Sequence, residues 1–437
     1  MNVLIKKFNL FYKNRPRGTF CIARFFMKIK NSFLGVVVFF MCTSTLSAIP
    51  FKISEANYQT MIEKSIVSTG NNDRLKKVLA KIRNGEKVNV AAIGGSVTEG
   101  AGPAKFTDGY AYQFFHALKA KYAPGDGKNL SFNNAGLSGT GSLLGIVRYQ
   151  HDVVEVGNIP DLLIVEFAVN DNGDVICQRT FEAIIREALT SNPDCAVIAL
   201  YCIASYGNTA EQKKPVADFY SLPQINMLPV VKEAIANKVF TNEQYLTDYA
   251  HPTFEGHQFM CDCLMGLVDK LDKAKSDSPV AVPEKFFKEP AFSGMKRIYP
   301  DNKDSNVLIS TGDFNETDRS CQTLKKTNTS DFPQNWKKKM DAKSENLPFK
   351  MELTCKNLVF VYKVQANGSA EKFGKAEVYV DGRKVATYDG GKAGGWNNCE
   401  PNLIIDERTA AKHTVLVKMA PGSEKLGFTI VTMGYTK

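Results

Sequence analysis

Four short segments of this 437-residue sequence set residue types suited to acyl transfer just beyond apolar runs. The first is Gly94-Gly95-Ser96-Val97-Thr98-Glu99-Gly100. Its glycines permit a tight turn, and a serine at the start of a following helix can present Oγ beside backbone N–H groups. A serine in that place is more commonly just a helix cap. A phosphate loop is disfavoured, because the Lys-Ser/Thr pair that would hold phosphate and metal is missing. The second segment, Asn133-Asn134-Ala135-Gly136-Leu137-Ser138-Gly139-Thr140-Gly141, is a glycine-rich loop in which a backbone N–H could approach an oxyanion. The third, Ala168-Val169-Asn170-Asp171, offers a carboxamide that can donate towards negative charge developing on a carbonyl oxygen, although Asn is also a common turn residue. The fourth is Asp248-Tyr249-Ala250-His251-Pro252. A carboxylate three residues ahead of a histidine can fold back onto Nδ1 and fix the tautomer in which Nε2 accepts a proton. Of the five histidines, His251 alone has this arrangement. His257 reads as a structural hydrogen bonder inside a helix, and His116 and His151 sit in helical segments without an evident partner.

Such residues must be carried by a scaffold. From Lys87 to about Lys275, short apolar runs (Val88–Ile93, Leu130–Asn134, Leu162–Val169, Ala196–Ile203) alternate with helical spacing at Tyr110–Tyr122, Leu143–His151, Phe181–Leu189, Leu228–Val239 and Phe254–Leu271. That alternation predicts an α/β domain with a parallel sheet covered on both faces, whose strand ends carry the four segments. Ser276–Pro290 contains three prolines and mixed charge, which marks a linker. Beyond it strand signals dominate: Asn357–Gln365, Ala376–Val380 joined by Asp381-Gly382 to Lys384–Tyr388, Thr414–Met419 and Gly427–Met433. A smaller all-β sandwich or jelly-roll domain is expected there. The expected domains are 49–275, a linker 276–290, and 291–437.

Taken together, four segments in this order on one α/β unit resemble the SGNH/GDSL hydrolase family, over about Glu86 to Leu271. The resemblance implies a flavodoxin-like three-layer fold and a serine esterase that needs no metal or organic cofactor. Carried over by position, Ser96 would be the nucleophile, His251 the base and Asp248 its orienting partner. Gly139 and Asn170 would be oxyanion donors beside the Ser96 amide. Two departures stand out: the family's Gly-Asp-Ser is Gly94-Gly95-Ser96, and the Gly before its Val-Asn-Asp step is Ala168. The Gly-Gly-Ser form resembles exported carbohydrate esterases of the family, and with the attached β-domain this implies removal of O-acetyl groups from polysaccharides. Trp336 and Trp396, both in the β-region, are candidate sugar-stacking residues. So are Tyr206 and Tyr220 in the polar insertion Ser205–Leu222. On this expectation the β-domain acts on polymeric substrate and not on ester cleavage itself. A lipase or general short-chain esterase is the alternative enzyme, but there is no long apolar lid. A non-catalytic glycan-binding surface protein would have no need of Ser96, Asp248 and His251.

Composition bounds these readings. With 44% hydrophobic and 23% charged residues the chain is globular and not disordered. The formal charge of +10 hints at nucleic acid, yet residues 1–48 hold eight basic residues and no acidic one. The remainder is close to neutral, which argues against a nucleic-acid partner. Phe33–Met41 is an apolar run followed by small residues up to Ala48, as in a cleaved export signal, and Met27 would begin a compact one. The run is too short for a comfortable bilayer span. The mature chain is therefore expected to be secreted, periplasmic or at the cell surface, without a membrane span. After Ala48 eight cysteines remain, and they read as buried apolar side chains with room for one or two disulfides. No His or Cys spacing supports a metal site, and nothing in the sequence sets an oligomeric state.

Overall fold

A computed structural model describes residues 49–301 and 304–437; the expected export signal at 1–48 lies outside the described residues. The chain enters through helix α1 (Glu55–Ser65), a short strand β1 (Ile66–Ser68) and α2 (Asp73–Arg83). The alternating pattern follows: β2 (Val88–Gly94), the one-turn helix α3 (Ser96–Glu99), α4 (Tyr110–Tyr122), β3 (Leu130–Gly136), α5 (Ser142–Tyr149), β4 (Leu162–Glu166), α6 (Val175–Ser191) and β5 (Ala196–Tyr201). It closes with α7 (Ala210–Phe219), β6 (Gln224–Asn226), α8 (Met227–Ala236), α9 (Asn242–Tyr245) and α10 (Phe254–Lys273). Among the described residues no helix is long and apolar enough to cross a membrane.

The strands form a six-stranded sheet in the order β1-β6-β5-β4-β2-β3. Every pairing is parallel except the edge pair of β1 with β6. The parallel part has the flavodoxin-like doubly wound order, and its direction of winding reverses between β2 and β4. A crevice opens at the carboxyl ends of strands at such a reversal, and segments leading to Ser96, Gly139 and Asn170 leave β2, β3 and β4 there. The sheet is apolar on both faces because its strands alternate into two cores. Val90, Ala92, Ile164 and Ile198 meet Phe114, Leu118 and Leu264 on one side. Ala91, Ile93, Val165 and Val197 meet Val147, Ile184 and Val216 on the other.

The remaining chain is antiparallel: β7 (Lys296–Ile298), β8 (Val307–Ser310), β9 (Thr323–Leu324), β10 (Thr329–Ser330), β11 (Trp336–Lys338), β12 (Phe349–Val364), β13 (Lys375–Val380), β14 (Arg383–Asp389), β15 (Asn398–Met419) and β16 (Phe428–Thr436). All but the β9–β10 hairpin belong to one eight-stranded sheet. The expected sandwich is thus built from one continuous sheet. The long strands β12 and β15 pair along nearly their whole lengths, and bulges near Cys355 and Leu358 shift their register. The first half of β12 pairs with β8 and the second half with β16. Across the bulges the core-facing residues switch from Phe349, Met351 and Leu353 to Leu358, Phe360 and Tyr362, as an inserted residue requires.

The β-region does not hang from a free tether. Val359 and Val361 of β12, Val431 of β16, and Phe292, Met295 and Phe332 complete the same apolar core as α5, α6 and α7. Gly434 lies so close to α5 that a Cβ there would come within 2.7 Å of Val147. A bidentate ion pair joins Arg179 of α6 to Asp406 of β15 at 2.8 and 2.6 Å. The Pro-rich segment 276–290 is fastened down as well. Glu182 accepts from the Phe287 and Lys288 amides at 2.5 and 3.0 Å, and Arg186 donates to the carbonyls of Pro283 and Glu284.

Candidate active site

The sharp turn from β2 into α3 works because of its glycines. A Cβ on Gly94 would lie 2.1 Å from Thr98 Oγ1 and 2.4 Å from the Glu166 carbonyl. A Cβ on Gly95 would lie 2.0 Å from Asn170 Oδ1. The Gly-Gly-Ser step therefore lets the Asn170 carboxamide close up beside the Ser96 turn. Ser96 opens α3, so its amide is one of the N–H groups that a helix start leaves without an intrahelical partner. Its Oγ lies 2.9 Å from His251 Nε2. His251 Nδ1 lies 2.7 Å from Asp248 Oδ2, which places the ring proton on Nδ1 and leaves Nε2 to accept. Asp248 Oδ1 accepts from the Ala250 and His251 amides at 2.8 and 2.9 Å. Partial burial pushes the Asp248 carboxyl up, but hydrogen bonds from the His251 ring and from these two amides more than offset it, and its pKa falls below the usual value. Ser96, His251 and Asp248 thus form one continuous hydrogen-bonded chain.

Gly139 stands exposed on the neighbouring loop with φ +67°, a conformation that favours glycine. Asp171 ties this loop to the Asn170 turn: it accepts from the Ser142 amide at 2.8 Å, the Ser142 hydroxyl at 2.7 Å and Lys213 Nζ at 2.6 Å. Glu99, at the end of α3, accepts from both the amide and the hydroxyl of Ser138. It also accepts from the Lys325 amide of the β9–β10 hairpin at 2.7 Å. Neither Asp171 nor Glu99 stood out in the sequence, because their partners are distant along the chain. Behind α3, burial pushes the Glu166 carboxyl up to about 7.

The four aromatic candidates separate. Trp396 is 48% exposed and roofs the Gly139 loop, since a Cβ on Gly139 would meet its ring at 2.9 Å. Tyr206 is exposed, donates to the Val169 carbonyl at 3.2 Å and lies 6.5 Å, ring to ring, from Tyr249. Tyr249 in turn lies 6.4 Å from the His251 ring; it sits inside the Asp-Tyr-Ala-His segment, where nothing in its spacing singles it out. Trp336 is a correction. It is 3% exposed and packs edge-on to Phe349 in the β-region core, so it has no face to offer a sugar. Tyr220 is a correction too: it is buried, donates to Glu182 at 2.7 Å and accepts from Arg186 at 3.1 Å. It braces the strapped segment 276–290 and does not line a cleft.

His257 and His151 have structural partners. His257 accepts from the Tyr110 amide and lies 3.0 Å from the Ala101 carbonyl, and burial lowers its pKa to about 4. His151 lies 2.7 Å from Asp152. With Asp331 this pair forms the single His/Cys/Asp/Glu group among the described residues close enough to share an ion. Arg148 donates to Asp152 at 2.8 Å and Arg297 to the Asp331 backbone carbonyl at 3.2 Å, while burial and the neighbouring Asp152 push the Asp331 carboxyl up. All eight described cysteines are free and buried.

Comparison with known proteins finds likenesses in sequence and in fold. Residues 92–259 match the model of the GDSL-like lipase/acylhydrolase family, a stretch that contains Ser96, Gly139, Asn170, Asp248 and His251. A two-domain esterase active on acetylated mannans superposes with a TM-score of 0.74 at 23% identity, covering 86% of this chain and 99% of its own. A second structure, co-crystallised with mannopentaose, gives 0.73 at 23% identity, with 86% and 98% covered. The likeness in fold extends over both regions. No curated protein matches the chain in sequence.

Proposed function

We propose that this GDSL-type carboxylic ester hydrolase is exported and removes O-acetyl groups from polysaccharides through a Ser96 acyl-enzyme. The observation that carries the reading is the unbroken chain Ser96 Oγ, His251, Asp248, at 2.9 and 2.7 Å, placed where an exposed aromatic rim meets the oxyanion loop.

The chemistry follows from the atoms. His251 Nε2 takes the Ser96 hydroxyl proton as Oγ attacks the acetyl carbonyl carbon. The tetrahedral oxygen is received by the Ser96 amide, the Gly139 amide and the Asn170 carboxamide. The C–O bond to the sugar breaks, and its oxygen takes the proton from His251. A water then gives a proton to the same nitrogen and attacks the acetyl-serine, which releases acetate and restores Ser96. Asp248 holds the imidazole in register and stabilises the imidazolium that forms at each step. Trp396 on one side and Tyr206 and Tyr249 on the other offer faces for sugar rings. An architecture shared along 86% of the chain with an esterase active on acetylated mannans supports a glycan substrate.

Ser96→Ala is expected to reduce hydrolysis of p-nitrophenyl acetate to the small residue left by binding and oxyanion donors alone. The wild-type enzyme should release acetate from acetylated mannan or xylan and leave long-chain lipid esters largely uncut. Wild-type rates in folded Ser96→Ala, or preference for long acyl chains, would contradict the proposal.

A further inference from the structure

The peptide group between Ser138 and Gly139 is the part of the oxyanion hole most dependent on outside support. Its N–H is the Gly139 donor and its C=O belongs to Ser138, so whatever grips the carbonyl also aims the donor. Every polar atom of Ser138 is held. Glu99 takes its amide and hydroxyl, and Gln322 donates from Nε2 to its carbonyl at 2.5 Å. Gln322 lies in the β-region, 184 residues further along the chain, and is only 3% exposed. Its other carboxamide atom is committed, since Oε1 accepts from the Cys399 amide at 3.0 Å. An amide N–H can only donate, so the side chain has one satisfactory orientation, with Nε2 facing Ser138.

We infer that Gln322 is a positioning residue for ester cleavage, aiming and polarising the peptide whose N–H completes the oxyanion hole. A carbonyl that accepts a hydrogen bond makes the N–H of its own peptide a stronger donor, through polarisation along the chain of bonds. A fixed peptide plane also spares the reorganisation that a mobile loop would need as charge develops. The inference rests on the ester-hydrolase reading and goes beyond it, because it gives the β-region a part in the bond-breaking step itself.

The test is steady-state hydrolysis of p-nitrophenyl acetate, a substrate with no sugar to bind elsewhere. Gln322→Glu keeps the shape and the acceptor for Cys399 but, at a pH high enough to ionise its buried carboxyl, turns an acceptor onto the Ser138 carbonyl. Its kcat should fall about tenfold or more, less than the ~10²–10³ for loss of a whole oxyanion donor, with KM within about twofold of wild type. Lys326→Met removes a different contact of the same hairpin, Nζ to the Asn134 carbonyl at 2.8 Å, and should leave kcat within about twofold. Should Gln322→Glu fail to fold, Gln322→Met must show the same fall in kcat. A folded Gln322 variant with wild-type kcat, or an equal fall in Lys326→Met, would overturn the inference while leaving the hydrolase reading intact. An inactive wild type beside an equally inactive Ser96→Ala would take down the hydrolase reading, and the inference with it.

Discussion

The two sides of the proposed active site are held in opposite ways. The acid–base side is closed by its own neighbours: Asp248 grips His251 and two amides within three residues, and the Thr247 amide bonds back to the His251 carbonyl at 2.8 Å. The proposed oxyanion side is held from far away. Its loop depends on Glu99, Asp171 and Gln322, and Trp396 covers it from a region more than a hundred residues beyond the linker segment. A self-closed loop can be recognised in any sequence that contains it. A clamped loop exists only once distant parts of the chain have met, so the difference separates what is local in this enzyme from what is cooperative.

The largest expected effect lies on the self-closed side. His251→Ala removes the proton acceptor that faces Ser96 Oγ and should lower kcat by about 10⁴–10⁶. Asp248→Ala should be ten- to a hundredfold milder, by roughly the margin seen between triad members elsewhere. The Asp248 side chain is 45% exposed, so water can partly replace it at Nδ1. Kinetics on p-nitrophenyl acetate decides the order. A more severe loss in Asp248→Ala would mean that the loop is held open to some other base.

The next effect tests the clamped side as a whole. A division of labour, with the β-region serving only polymers, predicts that the α/β region alone keeps its small-ester activity. The structure argues otherwise. Removing residues 291–437 would strip Val147 of α5 and Arg179 of α6 of their cover and their partner, and would release Gln322 and Trp396 from the oxyanion loop. The fragment 49–290 should lack a cooperative thermal transition near that of the full chain, and any soluble part should be poorly active. A stable fragment with full activity on p-nitrophenyl acetate would restore the division of labour and weaken the contrast drawn between the two sides.

The same contrast explains what the sequence disclosed. The parallel core was legible because strands such as Leu162–Glu166 are continuous apolar runs, and the contact of Asp248 with His251 because they are three residues apart. Strands β1 and β6 were not, since three residues in each leave no period to read. The segment 276–290 looked like a free linker because proline and charge are surface signals; nothing local announces that Glu182 and Arg186 strap it down. Gln322 and Glu99 carried no signal at all. An isolated glutamine before two lysines, or a glutamate ending one helical turn, acquires meaning only from partners brought by the fold. Gly95 lies between these cases: it was noticed as a departure, and its reason appeared with the 2.0 Å approach of Asn170.

The smallest effects, and the finest test, come from the two tryptophans, alike in residue type and opposite in setting. Trp336→Ala deletes a core ring packed on Phe349 and should destabilise the protein by about 3–5 kcal/mol, visible as a lower melting temperature. Below that temperature KM should be unchanged. Trp396 is half exposed and rests against Gly139, so Trp396→Ala should barely move the melting temperature. A stacking contact of about 0.5–1.5 kcal/mol corresponds to a two- to roughly tenfold weaker hold on a sugar. KM for an acetylated mannan oligosaccharide should therefore rise by that factor, with kcat on p-nitrophenyl acetate nearly constant. If kcat on the small ester fell instead and KM for the oligosaccharide stayed put, Trp396 would be another clamp on the oxyanion loop and not a platform for sugar. That result would move it to the side of Gln322, make the clamped half of the site still more dependent on the β-region, and leave Tyr206 and Tyr249 as the aromatic faces for substrate.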